Sequence, residues 1–520
     1  MFTRNSTSAA IPRLRSVVLG TLAAATLSFA LGTGSAAAQP FALPFWADDL
    51  KPGERLFTRD HAGGDQRHGY DITARRILPD GRWTALRPGG SSDRNEDHLI
   101  YGMPIHAIAD GEVIACWRNA PDNLAPGVQH PARAQGLIGG GGNMLKVAQD
   151  NGVVTLYAHT EPASISSALC PHDAELLSAP GATQELDVPE GQRARIRKGQ
   201  LIGRVGNSGR SSGPHLHVHS IKDGDAFPLT FERGLATPWN GGNADIDSWT
   251  SFAGGKIPDG EVLLWPPRRL GGEYARHRFP REDYGRLFLH LVDSGYEPVW
   301  FDGYSVGNRT FYNFVWRPAS RPFRAWRDLS AATYQDRLED ALDDGFAPVH
   351  VESYRIGNSV RFALIVEKGV PGRFLARHGL DAAQHQAVLQ QAKDANLNPV
   401  DVSVVSVNGE RRFTVLYRSN NIGSWVMRSR VREADYQDMF EAQAAAGRLP
   451  RYVGAYMHDG EPHFSVVFAS SMAGGVGFHG MSSQAYQDRF EQQTGQGRRT
   501  RVVSAFDGAS TNHRFVGIWK

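Results

Sequence analysis

The chain has 520 residues, of which 41% are hydrophobic, 21% charged and 10% aromatic. Those proportions exclude wholesale disorder, a coiled coil and a collagen-like chain. The length calls for two or more domains, because single cores stop growing at about 250–300 residues. A formal net charge of +2 gives no support to a nucleic-acid partner, which would want a concentrated basic face.

Residues 1–38 read as a targeting leader. Arg4, Arg13 and Arg15 make a basic start, Val17 to Leu31 is uncharged and apolar, and Ala36-Ala37-Ala38 supplies an A-x-A cleavage site. That stretch is too short to cross a bilayer of about 30 Å comfortably, and no later segment reaches about 18 unbroken apolar residues. The expectation is a soluble protein, secreted or periplasmic, that starts near Gln39 and keeps no integral membrane segment. Loss of the three leader arginines leaves 53 basic residues against 54 acidic ones.

Residues 39–268 are expected to form a mostly antiparallel β domain. The 57 glycines of the chain exceed the usual share of about 7%, which predicts many tight turns. Short β-like runs occur at Ile105–Ala109, Glu112–Ala115, Asn143–Val147, Val153–Ala158 and Leu216–His219, with Asp110-Gly111 and Asn151-Gly152 as turn signals between them. Cys116 and Cys170, the two cysteines of the chain, suit an oxidising compartment and exclude a Cys-based zinc site. The sequence leaves their pairing open, since it does not show how close their Cα atoms come.

Residues 269–281 are predicted to be a linker, and residues 282–520 an array of five tandem units. Tyr284, Tyr334, His385, Tyr436 and Tyr486 recur every 50 or 51 residues. Four residues after each stands Phe288, Leu338, Leu389, Phe440 or Phe490, an i,i+4 apolar pair on one helix face. Eleven residues after each stands Gly295, Gly345, Asn396, Gly447 or Gly497, the two residue types that take the left-handed conformation ending a helix. Ser330, Asp381 and Ser482 occupy N-cap positions, and an alternating strand such as Phe362-x-Leu364-x-Val366 closes each unit. Each unit therefore reads as a helix followed by a β-hairpin, an α+β repeat that must stack on its neighbours to bury an apolar face. Whether the stack is open or closes into a ring is not decided by the pattern.

The residues suited to chemistry lie in the N-terminal half. His215 and His217 are two apart on a β-like run, so they share one face about 6–7 Å apart along the strand. Tyr157-Ala158-His159 ends another run. His61-Ala-Gly-Gly-Asp-Gln-Arg-His68-Gly-Tyr-Asp71 supplies further imidazoles and a carboxylate. Two His and one Asp with an open fourth position suit a catalytic zinc ion, which accepts N and O ligands tetrahedrally. His219, His106, His98, His130 and His172 read as structural.

Together with Gly102-Met-Pro-Ile-His-Ala-Ile-Ala-Asp-Gly-Glu-Val, Gly142-Asn143, Lys198-Gly-Gln-Leu-Ile-Gly203 and Ser212-Gly-Pro-His-Leu-His217, these segments resemble the lysostaphin-type, LytM-like family of secreted zinc endopeptidases. That family cuts peptide cross-bridges of bacterial cell walls, and the resemblance spans roughly residues 55–222. It implies Zn2+ as cofactor, with His217 and Asp71 as ligands and His159 and His215 at the reaction centre. The substrate it implies is peptidoglycan or a Gly-rich peptide.

The family's H-x-G-x-D pattern is broken, because Arg67 stands at the His position and an arginine cannot bind zinc. Related branches set that His further upstream, which suits His61. His68 is the other candidate. Failure of both would favour a catalytically silent cell-wall scaffold or an activator of other wall hydrolases. The repeats resemble the tandem units attached to some secreted serine hydrolases, including polyglycine-cleaving ones, which implies an accessory or targeting role.

Overall fold

Alternation of apolar and polar residues lays one face of a large antiparallel sheet on a core and leaves the other for side chains with chemistry. The computed structural model describes residues 40–61, 63–240, 243–244, 248–508 and 512–520. The leader expected at residues 1–38 lies outside them. Eight strands form the body of the N-terminal sheet: β1 Glu54–Asp60, β2 Tyr70–Ile77, β3 Gly111–Trp117, β4 Asn143–Ala148, β5 Val153–Thr160, β6 Leu216–Lys222, β7 Leu235–Asn240 and β8 Glu261–Trp265. Their spatial order is β7-β8-β1-β2-β6-β5-β4-β3, with short strands at the margins. Leu56, Ile72, Ala74, Tyr157, Leu216 and Val218 are buried on the core face. Cys116 and Cys170 are joined in a disulfide with Cα atoms 5.6 Å apart. Among the described residues the helical content of this half is one turn at Pro131–Ala134 and a few 3₁₀ turns.

The segment expected to be a linker is partly a strand. β9, Tyr274–Pro280, pairs with the second hairpin strand of the first repeat. Its sequence hides it, because the register shifts between Arg276 and Phe279 and Arg278 takes a positive φ of 53°. Simple alternation is lost at that bulge. Every unit is therefore a strand, a helix and a hairpin. In the first unit these are β9, α1 Arg281–Asp293, β10 Tyr296–Val306 and β11 Arg309–Pro318.

Each of the five helices spans 13 residues. Ser330, Asp381 and Ser482 accept the backbone N–H groups of Thr333, Gln384 and Ala485 as N-caps. Gly295, Gly345, Asn396, Gly447 and Gly497 all have positive φ, as helix termination requires.

The five sheets have three strands each, and adjacent units are tied by side chains at a central axis rather than by a shared strand ladder. The Val351 and Ser353 amides donate to Asp401 Oδ2 and Ser403 Oγ, each at 2.9 Å. The Ala455 amide donates to Ser504 Oγ at 2.9 Å. The last unit meets the first, because Trp300 Nε1 donates to the Val503 carbonyl at 2.7 Å. The array is thus a closed ring.

The ring is docked on the N-terminal domain through α1. His290 stacks on Trp265 with ring centroids 4.0 Å apart and donates from Nε2 to the Pro266 carbonyl at 2.9 Å. Arg233 donates to the Asp293 carbonyl at 3.1 Å.

Candidate active site

Strand register brings the expected residues together. His217 lies opposite Asp71 on one side and Ala158 on the other, so all three point away from the core face. His61 follows the end of β1, where its amide donates to the Gly69 carbonyl at 2.9 Å and closes the loop leading into β2. Asp71 Oδ1 then lies 2.9 Å from His61 Nε2, 2.8 Å from His217 Nδ1 and 3.4 Å from His215 Nε2. Among the described residues, His61, Asp71 and His217 are the one group of three His, Cys, Asp or Glu side chains whose ligand atoms lie within 4.8 Å of one another. His68 lies outside that group. It takes a positive φ of 74° in the turn before Gly69.

His159 reaches the site by a different device. Strict alternation along β5 would send it to the core face with Tyr157. Instead Asn143 faces Thr160 and Met144 faces Ala158, which leaves His159 as the extra residue of a bulge with a φ of 67°. Such bulges re-aim side chains beside active sites. Its ring centroid is 4.7 Å from that of His215 and 6.1 Å from that of His217.

Backbone carbonyls orient both of these rings. His159 Nδ1 donates to the Ser208 carbonyl at 2.8 Å, and His215 Nδ1 donates to the Gly213 carbonyl at 2.8 Å. Each ring thereby keeps Nε2 for the site. The Ser208 loop is held in turn by Ser208 Oγ, which accepts the Asn143 amide and donates to the Thr160 carbonyl, each at 2.9 Å. Ser208 and Asn143 are positioning residues whose part could not be read from the sequence, because it depends on which loops the sheet brings into contact. His219, read as structural, has its Nδ1 2.8 Å from His217 Nε2. The period-two run His215-x-His217-x-His219 was the available signal.

The electrostatics suit a cation. Burial works to raise the Asp71 carboxyl, but hydrogen bonds from His215 and His217 and the charge of His215 outweigh it and hold the group well below the usual carboxylate range. Burial, with His215 beside it, pushes His159 down to about 3. Burial likewise lowers His219 to about 4. For His215 burial acts downward, but the Asp71 carboxylate prevails and raises it.

His61 Nε2 is buried and has Asp71 Oδ1, 2.9 Å away, as its close polar neighbour. That ring nitrogen is suited to a metal. The donor set of two imidazoles and one carboxylate fits zinc.

Peptidase family M23 matches residues 167–228. The polyglycine hydrolase-like structural repeat matches five times, at 271–319, 320–369, 372–420, 422–471 and 478–520. The DD-carboxypeptidase/endopeptidase Mpg of Neisseria meningitidis serogroup B (strain ATCC 13091 / M2091) is 33% identical over 133 residues, 24% of this chain and 24% of that protein. The same protein of Neisseria gonorrhoeae (strain ATCC 700825 / FA 1090) matches equally. The chain thus spans about a quarter of the length of the curated relatives it matches.

The catalytic domain of lysostaphin from Staphylococcus simulans is 16% identical, with 35% of this chain and 91% of that one covered and a TM-score of 0.18. The deep-sea M23 metalloprotease Pseudoalterin is 14% identical, with 44% and 97% covered and a TM-score of 0.22. Scores this low carry no argument, so the assignment rests on the family matches. The N-terminal half thus carries an M23-like domain, matched to that peptidase family over residues 167–228, and five polyglycine hydrolase-like repeats follow it.

Proposed function

We propose that the protein is an exported zinc-dependent endopeptidase that hydrolyses peptide bonds in peptidoglycan cross-links or Gly-rich peptides, with the repeat ring as its accessory or targeting domain. The observation that carries the reading is the convergence of His61 Nε2, Asp71 Oδ1 and His217 Nδ1 within 4.8 Å, with His159 and His215 beside them. The leader pattern at residues 1–38 supports export. A peptide substrate follows from the peptidase family, and its wall or Gly-rich character from the sequence resemblance and the kind of repeat attached.

Zinc bound by His61, Asp71 and His217 would polarise a peptide carbonyl and bring the pKa of a water molecule down to about 7. The chain's own residues do the rest. Ser208 and Gly213 hold His159 and His215 with Nε2 towards the reacting atoms. One of these nitrogens takes the proton of the attacking water and passes it to the leaving amine. The other hydrogen-bonds the carbonyl oxygen as it gains charge.

Mass spectrometry of muropeptides and of pentaglycine, incubated with the leader-free chain with and without a zinc chelator, tests the reading. Chelator-sensitive fragments are expected. His217→Ala should lose both zinc and activity. His215→Ala should keep zinc and lose about 10²–10⁴-fold in rate. Full activity of His217→Ala would overturn the assignment. A folded chain free of zinc and of activity would favour the scaffold reading.

A further inference from the structure

We propose that His219 is a positioning residue that accepts the Nε2–H of His217 and thereby fixes the tautomer and ring plane in which His217 offers Nδ1 to the metal. The inference rests on the zinc-peptidase reading above. His217 is 4% exposed, and both its ring nitrogens are engaged. Nδ1 lies 2.8 Å from Asp71 Oδ1, and Nε2 lies 2.8 Å from His219 Nδ1. A ligating imidazole nitrogen carries no proton, so a neutral His217 carries its proton on Nε2.

In a buried site that N–H needs an acceptor, and leaving it without one costs about 1–3 kcal/mol. Metal-bound histidines usually find a carboxylate, a backbone carbonyl or water for this bond. The neighbouring rings of His159 and His215, which are not ligands, are also oriented by carbonyls. His217 instead faces a second imidazole, which the two-residue period of β6 puts on the same face.

The chain also makes room for this partner. A Cβ added at Gly69 would lie 2.8 Å from His219 Cβ and 3.1 Å from the Val218 carbonyl oxygen. The backbone before Asp71 therefore passes against His219, and only glycine permits that approach. Gly69 and His219 form one device, which sets the ligand strand β6 against the ligand strand β2.

The test is zinc affinity, measured by competition with a chromophoric chelator on the leader-free chain, with melting of the zinc-free proteins as a control. His219→Leu keeps much of the volume and removes the acceptor. His219→Asn places an amide oxygen near the position of Nδ1. The expected result is a 10- to 100-fold loss of zinc affinity in His219→Leu and recovery of most of it in His219→Asn, with similar zinc-free melting in both.

Equal affinity of wild type and His219→Leu, or no advantage of Asn over Leu, would overturn the proposal while leaving the zinc-peptidase reading intact. A wild-type chain that binds no zinc would overturn both. Should His219→Leu fail to fold, Gly69→Ala, which displaces His219, is expected to weaken zinc binding, and unchanged affinity there would overturn the proposal.

Discussion

Ser504 donates its hydroxyl proton to Asp302 Oδ1 at 2.6 Å, joining the last structural repeat to the first across 202 residues of chain. The second carboxylate oxygen of Asp302 accepts from Asn313 Nδ2 at 2.7 Å and from the Ala505 amide at 3.2 Å. One buried side chain thus satisfies donors from both ends of the array. A linear solenoid has two free ends to cap, and this array meets its own end instead.

The seam should contribute measurably to stability. Trp300 is 6% exposed and donates to Val503 across it. Trp300→Ala is expected to cost about 3–5 kcal/mol, the range for truncating a large buried aromatic. Urea unfolding followed by intrinsic fluorescence would measure it. A loss below about 1 kcal/mol would show that the closed ring contributes little.

The axis should make the ring less stable as pH rises from acid to neutral. Burial raises the Asp302 carboxyl to about 7, against the hydrogen bonds of Ser504, Asn313 and Ala505 that lower it. Burial, then the charge of Asp302, raises Glu352 in the same way. On the neighbouring strands His350 and Asp401 are paired at 3.0 Å. Between the ordinary carboxyl value of 3.8 and about 7, the folded ring holds a proton that the unfolded chain has released. The stabilisation is therefore complete below about pH 4 and is lost as pH rises towards 7. The melting temperature of the repeat transition should fall across that window. Asp302→Asn should flatten the dependence, leaving the share due to Glu352. An unchanged slope in the variant would contradict the assignment.

His61 and His68 make a direct comparison, because both precede Asp71 and one alone lies against it. His61→Ala should weaken zinc binding by more than the 10- to 100-fold typical of a lost outer partner. His68→Ala should leave it near wild type. Chelator competition on the two variants separates them, and the reverse order would assign the first ligand to His68.

Much of this protein follows from local pattern. The 50-residue recurrence of Tyr284, Tyr334, His385, Tyr436 and Tyr486 marks the five helices, because capping and i,i+4 burial are short-range requirements written at fixed spacing. The hidden strand β9 escaped the same reading, because its bulge at Arg278 breaks the period of two. His215 and His217 were legible as neighbours on one face for the converse reason, since regular alternation guarantees it.

Long-range pairing decided the rest. The register of β2 against β6 sets Asp71 opposite His217, and the loop closed by His61 and Gly69 selects His61 over His68 for their company. His159 reaches the site only because the pairing of β4 with β5 admits one extra residue there. Closure of the ring depends on how small rotations between successive repeats add up, a sum that no single repeat encodes. The sequence by itself determined which elements form and which side chains share a strand face, because those follow from steric periods of two and 3.6 residues. The tertiary structure alone decided which loops and strand ends meet, because contacts between residues 61, 71, 159 and 217 are made by sheet register and a bulge, neither of which has a local signature.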